Sequence, residues 1–409
     1  MKKITATIIL QIMFILNVFA QNTEISLNQG YENQSFYSMV NGEILNTQNN
    51  NWDIAFSTDA FSSTIRINDG KGVELYTYPL GDTSAWNTID NNSINILVNP
   101  MYNSDTSWEL GAFDVNTTNG MDFGWGVYNL ATHHIIGDSL FIIKTVDGNW
   151  KKLWLEKKVS GEYLFKYANL DGSNMINQNV QASNYNDKRF IYYSLESDLI
   201  IDREPILSDW DITFTKYITP VQGMPYSVTG VLSNSGVEVA KVDNIPSPLT
   251  YTNYGAHNFT QEINSIGYDW KTFSGTYVID SDRLYFIRDY QQNIWRLVFT
   301  NFDGMSTGNI EFNTELLSAT NTNNYQYNNS LELYPNPAST DNNIILIYDI
   351  KSNDGVINIY DITGKKLYST NLTSGFDTHT INNHKLKKGV YIISLVVNGE
   401  KINKRLIIN

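Results

Sequence analysis

Few side chains in this sequence could carry out chemistry. The chain has no Cys, which excludes disulfides, thiolate metal sites, iron–sulfur clusters and cysteine catalysis. It has no G-x-S-x-G, H-E-x-x-H, phosphate-cradling glycine loop or EF-hand spacing. The remaining candidates are His133, His134 and His257, whose neutral imidazoles can serve as ligands. We therefore expect a protein that is not an enzyme, although carboxylates brought together by the fold leave an extracellular hydrolase open.

The composition favours β-structure and an acidic surface. Aromatic residues make up 13% of the 409 residues and charged residues only 17%, which is typical of short, half-buried strands joined by polar turns. Residues 331–409 carry nine basic and seven acidic side chains, which leaves 17 basic and 35 acidic ones, a net charge of −18, in 21–330. So acidic a surface repels phosphate backbones, and we expect no nucleic-acid partner.

The first residues have the pattern of an export signal. Lys2 and Lys3 precede an apolar run to about Val18. Val18 and Ala20 lie at positions −3 and −1 before Gln21, where a signal-peptide cleavage site has small residues. The run is shorter than the roughly 20 residues that span a bilayer. We predict a signal peptide over residues 1–20, cleaved near Ala20-Gln21, and no transmembrane segment in the remaining chain.

Two nearly identical pentads, WDIAF at 52–56 and WDITF at 210–214, indicate an internal repeat. On an extended strand each pentad places Trp, Ile and Phe on one face. Each pentad is followed by a hairpin-like run that contains GVE. Three further pairs of matches come next in the same order in the two copies: the segments around Trp125 and Trp270, LFIIK (140–144) and LYFIR (284–288), and Trp150 and Trp295. Matches in the same order predict a tandem duplication.

The repeat and the changes in composition predict the domain organisation. We expect an all-β chain with two antiparallel β modules at 21–178 and 179–318, a polar linker at 319–330 and a small immunoglobulin-like β-sandwich at 331–409. Within the last segment, the Asn398-Gly399 pair predicts a two-residue hairpin.

The last segment resembles the C-terminal sorting domain of the type IX secretion system. The resemblance rests on YPNP at 334–337, V-x-I-Y-D-x-x-G-K at 356–365, K-x-G-V-Y at 387–391 and a basic terminal strand. It implies export across the outer membrane, recognition by the secretion machinery, and release or attachment at the cell surface. The residues that carry the implied sorting motif are Tyr334, Pro335, Asn336, Pro337, Gly364, Gly389 and Tyr391.

The paired modules resemble the HmuY-like family of secreted, all-β haem-binding proteins. The resemblance rests on WDITFTKY with VTGVLSNSGVEVA in the second copy and, more loosely, on WDIAFST with GVELYTY in the first. It implies haem as a possible cofactor. His133 or His134 would then be one axial ligand, and the other would be His257 or a methionine (Met101, Met121, Met224 or Met305). No histidine is repeated in both copies, so a haem site would not be shared by the modules.

A carbohydrate-binding or adhesive surface protein is the alternative interpretation. The chain has 26 Tyr and 9 Trp, and aromatic rings exposed on a surface can stack on sugar faces. The periodicity assigns many of these rings to strand cores instead. The sequence therefore predicts a ligand-binding surface protein but does not choose between haem and a glycan.

Overall fold

The computed structural model describes residues 21–59, 62–118, 121–319, 330–339, 343–350, 354–361, 363–382, 386–397 and 400–408. The predicted signal peptide, the linker residues 320–329 and the Asn398-Gly399 turn lie outside these residues. The chain divides into two compact units, residues 1–320 and 321–409. The described residues form strands and short 3-10 helices, which confirms the all-β prediction.

The first unit contains 22 strands in its described residues. They are β1 (Gln21–Ser26), β2 (Asn33–Ser38), β3 (Gly42–Gln48), β4 (Ile54–Ser57), β5 (Ile65–Ile67), β6 (Glu74–Thr77), β7 (Gly126–Asn129), β8 (His134–Gly137), β9 (Phe141–Lys144), β10 (Trp150–Val159), β11 (Glu162–Asn169), β12 (Ile176–Gln181), β13 (Phe190–Ser194), β14 (Leu199–Ile201), β15 (Ile212–Val221), β16 (Met224–Ser233), β17 (Glu238–Val242), β18 (Lys271–Phe273), β19 (Tyr277–Ile279), β20 (Leu284–Arg288), β21 (Ile294–Phe302) and β22 (Asn309–Ser318).

Short 3-10 helices connect these strands. They lie at Gln29–Tyr31, Asp69–Lys71, Thr83–Thr88, Asn91–Ile96, Ala112–Asp114, Ala182–Tyr185, Leu207–Asp209, Pro248–Thr250, Tyr254–Ala256 and Gly304–Ser306. No helix in the described part of the chain has the length and apolar character needed to cross a bilayer.

The strands of the first unit form two β-sandwiches. In the first sandwich, the sheet β14-β13-β4-β5 packs against a sheet in which β12, β11, β10, β9 and β6 are neighbours and β8 and β7 extend from β10. In the second, the sheet β16-β15-β2-β3 packs against β1-β22-β21-β20-β17, and β18 and β19 form a separate hairpin. Each sandwich encloses its own apolar core.

The two sandwiches share one pattern of strand pairing. The antiparallel pairs β4–β13, β4–β5, β6–β9, β9–β10, β10–β11 and β11–β12 correspond in order to β15–β2, β15–β16, β17–β20, β20–β21, β21–β22 and β22–β1. Trp52 and Trp210 occupy equivalent buried positions before β4 and β15, with 8% and 2% of their surface exposed. The fold therefore agrees with the predicted repeat.

The repeat is permuted with respect to the predicted boundaries at 21–178 and 179–318. Strands β1–β3, at the start of the chain, complete the second sandwich, whereas β13 and β14, beyond residue 178, complete the first. The sequence comparison began at the pentads and missed this arrangement because the strands before Trp52 have no pentad of their own. The structural units are therefore close to 50–204 and to 21–49 together with 205–318.

The aspartate of each pentad explains why WDI occurs twice. Asp53 and Asp211 are buried, and each carboxylate accepts hydrogen bonds from two backbone N–H groups of neighbouring turns. Buried backbone donors need such partners, so these carboxylates fix the turns against the core strand. The donors are Val146 (2.8 Å) and Leu195 (2.7 Å) for Asp53, and Tyr290 (2.9 Å) and Met39 (2.7 Å) for Asp211.

The predicted pairing of Trp150 with Trp295 is wrong by one residue. Trp150 is the strand partner of Lys144, whereas the equivalent partner of Arg288 is Ile294. A shift of one residue moves a side chain to the other face of the sheet. Trp295 accordingly packs on the core of the second sandwich, while Trp150 lies on the outer face of the first.

The second unit is a small β-sandwich. Its strands are β23 (Ser330–Tyr334), β24 (Ile344–Ile350), β25 (Gly355–Asp361), β26 (Lys366–Leu372), β27 (Gly375–Ile381), β28 (Gly389–Val397) and β29 (Glu400–Ile408). The sheets β23-β24-β27 and β26-β25-β28-β29 enclose one apolar core. Strands β28 and β29 are antiparallel neighbours, and Val397 is the strand partner of Glu400. A two-residue hairpin loop requires this pairing.

Candidate functional site

The YPNP motif docks onto the last strand of the second unit. The Asn336 side chain donates a hydrogen bond to the Arg405 carbonyl (2.7 Å) and accepts one from the Ile407 backbone N–H (3.0 Å). Next to it, Ala338 N donates to the Ile407 carbonyl (2.8 Å). The amide thus pairs with β29 as a neighbouring strand would. Tyr334 itself is 66% exposed.

The Y-D-x-x-G-K motif forms a tight turn after β25. Asp361 accepts hydrogen bonds from the backbone N–H groups of Thr363 (2.9 Å) and Lys365 (3.0 Å). The hydrogen bond from the Thr363 hydroxyl, followed by these backbone bonds, lowers the pKa of Asp361, so the capping carboxylate stays ionised. Gly364 has φ +83°, a conformation that glycine adopts without steric cost. The motif therefore specifies a turn.

The K-x-G-V-Y motif begins strand β28. Gly389 is the first residue of this strand and pairs with Ile408. The Tyr391 ring is buried in the core, and its hydroxyl donates to the Lys387 carbonyl (2.8 Å). The motifs of this unit therefore specify turns and strand contacts of its fold, and Tyr334 is exposed on its surface.

The predicted haem ligands lie at separate surface positions. His133 is an exposed residue in the turn between β7 and β8, and its Nδ1 is 2.8 Å from the Tyr128 hydroxyl. His134 is half-buried at the start of β8. His257 lies on the other sandwich, where its Nε2 is 3.0 Å from the Tyr251 hydroxyl.

The candidate methionine ligands differ in exposure. Met101 is buried, whereas Met121, Met224 and Met305 are exposed. In the described residues, no group of three or more His, Asp or Glu side chains is arranged to hold a metal ion. Haem binding stays a prediction.

A cavity of about 60 Å³ lies between the two sandwiches. Its walls come from the outer faces of the sheets that contain β4 and β15, including Trp52, Tyr192, Trp210 and Tyr217. Pockets for organic ligands usually measure about 300–1,000 Å³, so this space is too small for haem or a sugar ring. No histidine lines it.

A second, open groove of about 600 Å³ lies on the first sandwich. We call it the Trp150 groove. Its walls come from residues 91–94, from the turn at 148–151, from the turn at 169–174 and from Glu196. Trp150 is partly exposed there, and no histidine lines the groove. This volume lies within the range of ligand pockets.

Local hydrogen bonds fix the walls of the Trp150 groove. Lys152 is buried next to the wall residue Lys151. Its ammonium group donates to the carbonyls of Trp86 (3.0 Å) and Ile89 (3.3 Å), which fixes the segment that leads into the wall residues 91–94. Asn149 Nδ2 donates to Glu196 Oε1 (3.1 Å). The groove is therefore built on fixed turns at the ends of strands.

The wall side chains of the Trp150 groove are mostly polar and able to form hydrogen bonds. Four are asparagines, whose amides both donate and accept: Asn91, Asn149, Asn169 and Asn174. Lys151 Nζ lies 3.8 Å from Glu196 Oε2, so their charges offset each other. The hydrogen bonds from the Ser173 side chain and backbone lower the pKa of Asp171, which is therefore ionised. The net charge of the side chains that line the groove is therefore slightly negative.

The second sandwich does not repeat this set of side chains. The position equivalent to Trp150 is the buried Ile294, and the residue after Met39, which matches Glu196, is the exposed Val40. The shared residues, such as Asp53 and Asp211, support the fold in both copies. The side chains of the Trp150 groove belong to one copy only.

Sequence reasoning missed this groove. Its residues come from four separate segments of the chain, and no local motif joins them. The mistaken match with Trp295 also assigned Trp150 to a repeated core position. One signal in the sequence could have indicated the groove. LFIIK and LYFIR are 144 residues apart, whereas Trp150 and Trp295 are 145 apart, and a shift of one residue along a strand places the two indole rings on opposite faces of their sheets.

Comparisons with known proteins identify the second unit. Residues 332–409 match the family described as "Secretion system C-terminal sorting domain". The chain is also similar to the solved structure of PorZ, described as an essential bacterial surface component of the type-IX secretion system of Porphyromonas gingivalis. That similarity has 11% identity and a TM-score of 0.17, and it covers 69% of this chain and 44% of that chain. No curated protein matches the chain.

The family match confirms the predicted sorting domain. A domain of this family indicates export by the type IX secretion system as a surface or secreted protein, and the secretion machinery is then a partner of the chain. The resemblance of the two sandwiches to HmuY-like proteins has no support from these comparisons.

Proposed function

We propose that this exported protein binds carbohydrate in the Trp150 groove. The observation that carries the proposal is the combination, in one groove of about 600 Å³, of a partly exposed indole with four asparagine side chains. An indole stacks on the apolar face of a sugar ring, and amides exchange hydrogen bonds with its hydroxyl groups.

The difference between the two sandwiches supports this proposal. Both copies keep the residues that hold the strands together, but the first alone carries Trp150 and Glu196 at the groove. Trp150 packs against an outer apolar cluster of the first sandwich but stays partly exposed, whereas the equivalent Ile294 is buried in the second sandwich. The exposed part of Trp150 is therefore available to a ligand.

The charges in the groove favour a neutral glycan. Lys151 lies close to Glu196, and Asp171 remains as an ionised carboxylate. Residues 21–330 also carry a net charge of −18. Acidic sugars would meet repulsion both in the groove and around it. The class of ligand that we propose is a neutral oligosaccharide.

A glycan array with the chain from Gln21 onward tests this function. The expected result is binding to neutral glycans that the Trp150→Ala variant loses and the control Tyr226→Ala variant keeps, since Tyr226 is 61% exposed and does not line the groove. Equal binding by both variants would contradict the site.

A haemin titration belongs beside the array. A saturable Soret change that disappears in the double His133→Ala, His134→Ala variant, without glycan binding, would favour the haem hypothesis instead.

A further inference from the structure

The cavity between the two sandwiches has a feature that the carbohydrate groove does not explain. Its lining includes Arg66, Asp69, Arg189 and Glu204 from the first sandwich and the segment after it, and Trp210 from the second. Ionisable side chains are rarely placed in such an interface unless each charge has a partner. The hydrogen-bond partners of these side chains therefore determine what the cavity can hold.

Two N–H groups at this cavity have no hydrogen-bond partner in the described part of the chain. They are Trp210 Nε1 and Arg189 Nε, and both atoms are buried. The equivalent indole of the first sandwich behaves differently, because Trp52 Nε1 donates to Asn49 Oδ1 at 2.9 Å. A buried donor without a partner costs about 1–3 kcal/mol. The cavity therefore presents two unused donors to whatever occupies it.

The carboxylates at the cavity are already engaged. Glu204 accepts from Arg189 N (3.0 Å) and from the Tyr192 hydroxyl (2.8 Å). Asp69 Oδ2 accepts from the backbone and side-chain nitrogens of Asn103, at 3.0 and 2.8 Å. Both oxygens of Glu204 and Asp69 Oδ2 therefore have donors already, whereas Trp210 Nε1 and Arg189 Nε have no acceptor within the described residues. This pattern favours an anion over a cation.

The cations at the cavity outnumber its carboxylates. Arg66, Arg189 and the half-buried Lys216 line it, against Asp69 and Glu204. Arg66 directs its guanidinium to the backbone carbonyls of Ser104, Ser107 and Leu110 and holds its charge there without a carboxylate contact. Arg189 Nη1 also pairs with Glu109 Oε1 at 2.8 Å, so the charges around the cavity balance, and the preference for an anion follows from the two unpartnered donors.

We propose that this cavity is a binding site for a small inorganic anion of the size of chloride or nitrate. The anion accepts hydrogen bonds from Trp210 Nε1 and Arg189 Nε and links the two sandwiches, because these residues belong to different sandwiches. A volume of about 60 Å³ accommodates such an ion and excludes an organic ligand. The site is independent of the Trp150 groove.

Thermal unfolding in two sodium salts at equal ionic strength tests the site. Chloride fits the cavity and gluconate does not. At about 0.5 M chloride, an ion with a dissociation constant of about 10 mM raises Tm by roughly 4 °C over gluconate. Trp210→Phe keeps the ring but removes the N–H, and it should abolish this difference between salts.

A buried indole elsewhere in the second sandwich supplies a matched control. Trp270→Phe removes an N–H that already donates to the Gly267 carbonyl (3.2 Å), and Trp270 does not line the cavity, so this variant should lower Tm in both salts while keeping the chloride effect. Anomalous diffraction from a bromide-soaked crystal gives a second readout that does not depend on stability. A bromide peak between Trp210 and Arg189 is expected. A cavity that holds only water, or a chloride effect equal in Trp210→Phe and the parent, would overturn the proposal.

Discussion

Removing residues 21–49 should unfold the second sandwich and leave the first intact. Strands β1 and β2 pair with β22 and β15, and so they close both sheets of the second sandwich. The first sandwich takes all of its strands from residues 54–201. The two sandwiches should therefore respond to this deletion in opposite ways.

The structure gives the size of this effect. The deletion removes six apolar side chains that are each at most 7% exposed: Ile25, Leu27, Tyr31, Phe36, Tyr37 and Met39. At about 1.5–3 kcal/mol per buried side chain, the loss is roughly 9–18 kcal/mol, which is an upper estimate. Single domains are stable by only about 5–15 kcal/mol. The second sandwich should not remain folded.

Amide hydrogen exchange measured by mass spectrometry follows the two sandwiches separately. In the 50–319 fragment, strands β20–β22 should exchange at rates near those of an unfolded chain, while β9–β11 stay protected. A synthetic peptide of residues 21–49 added in trans should restore part of the protection, because it supplies the missing strands. Native protection of β20–β22 in the fragment alone would refute the permuted arrangement.

Three further changes have defined outcomes. Deleting 331–409 should leave the first unit folded but retained in the periplasm, and normal levels of the truncated protein outside the cell would contradict the sorting role. Asn336→Ala removes two hydrogen bonds to β29 and should destabilise the second unit by about 1–3 kcal/mol in urea unfolding, whereas an unchanged midpoint would show that the motif is not docked as described. Burial raises the pKa of Asp211 to about 6 from 3.8, so the folded state binds this proton more tightly than the unfolded state does. Its contribution to stability is therefore fully present below about pH 4 and is lost as the pH rises through about 6, by up to about 3 kcal/mol. The unfolding free energy of the parent minus that of Asp211→Asn should increase from pH 7 to pH 4.

The sequence predicted the elements that depend on local pattern. The pentads at Trp52 and Trp210 alternate as buried strands do, and the motifs around Asn336, Asp361 and Gly364 correspond to specific turns and contacts. These features follow from spacing along a single strand or turn, which is visible in the letters.

The features that were missed depend on contacts between distant segments. Nothing in residues 21–48 shows that they pair with strands more than 160 residues away, as Phe36 does with Thr213. The Trp150 groove combines four segments whose proximity is set by the sheet and not by any motif. The adjacent histidines His133 and His134 were chosen for their chemistry, but the fold places them at the turn and start of a surface hairpin.

Calorimetric titration of the parent, Trp150→Phe and Trp150→Ala with a neutral oligosaccharide found on the array tests the carbohydrate proposal most directly. Loss of the ring should weaken binding about tenfold or more, since aromatic contacts contribute roughly 0.5–1.5 kcal/mol beyond the area that they bury. Trp150→Phe keeps an aromatic face and should bind within a few fold of the parent. Equal dissociation constants for the parent and Trp150→Ala would contradict the proposal that this groove is the binding site.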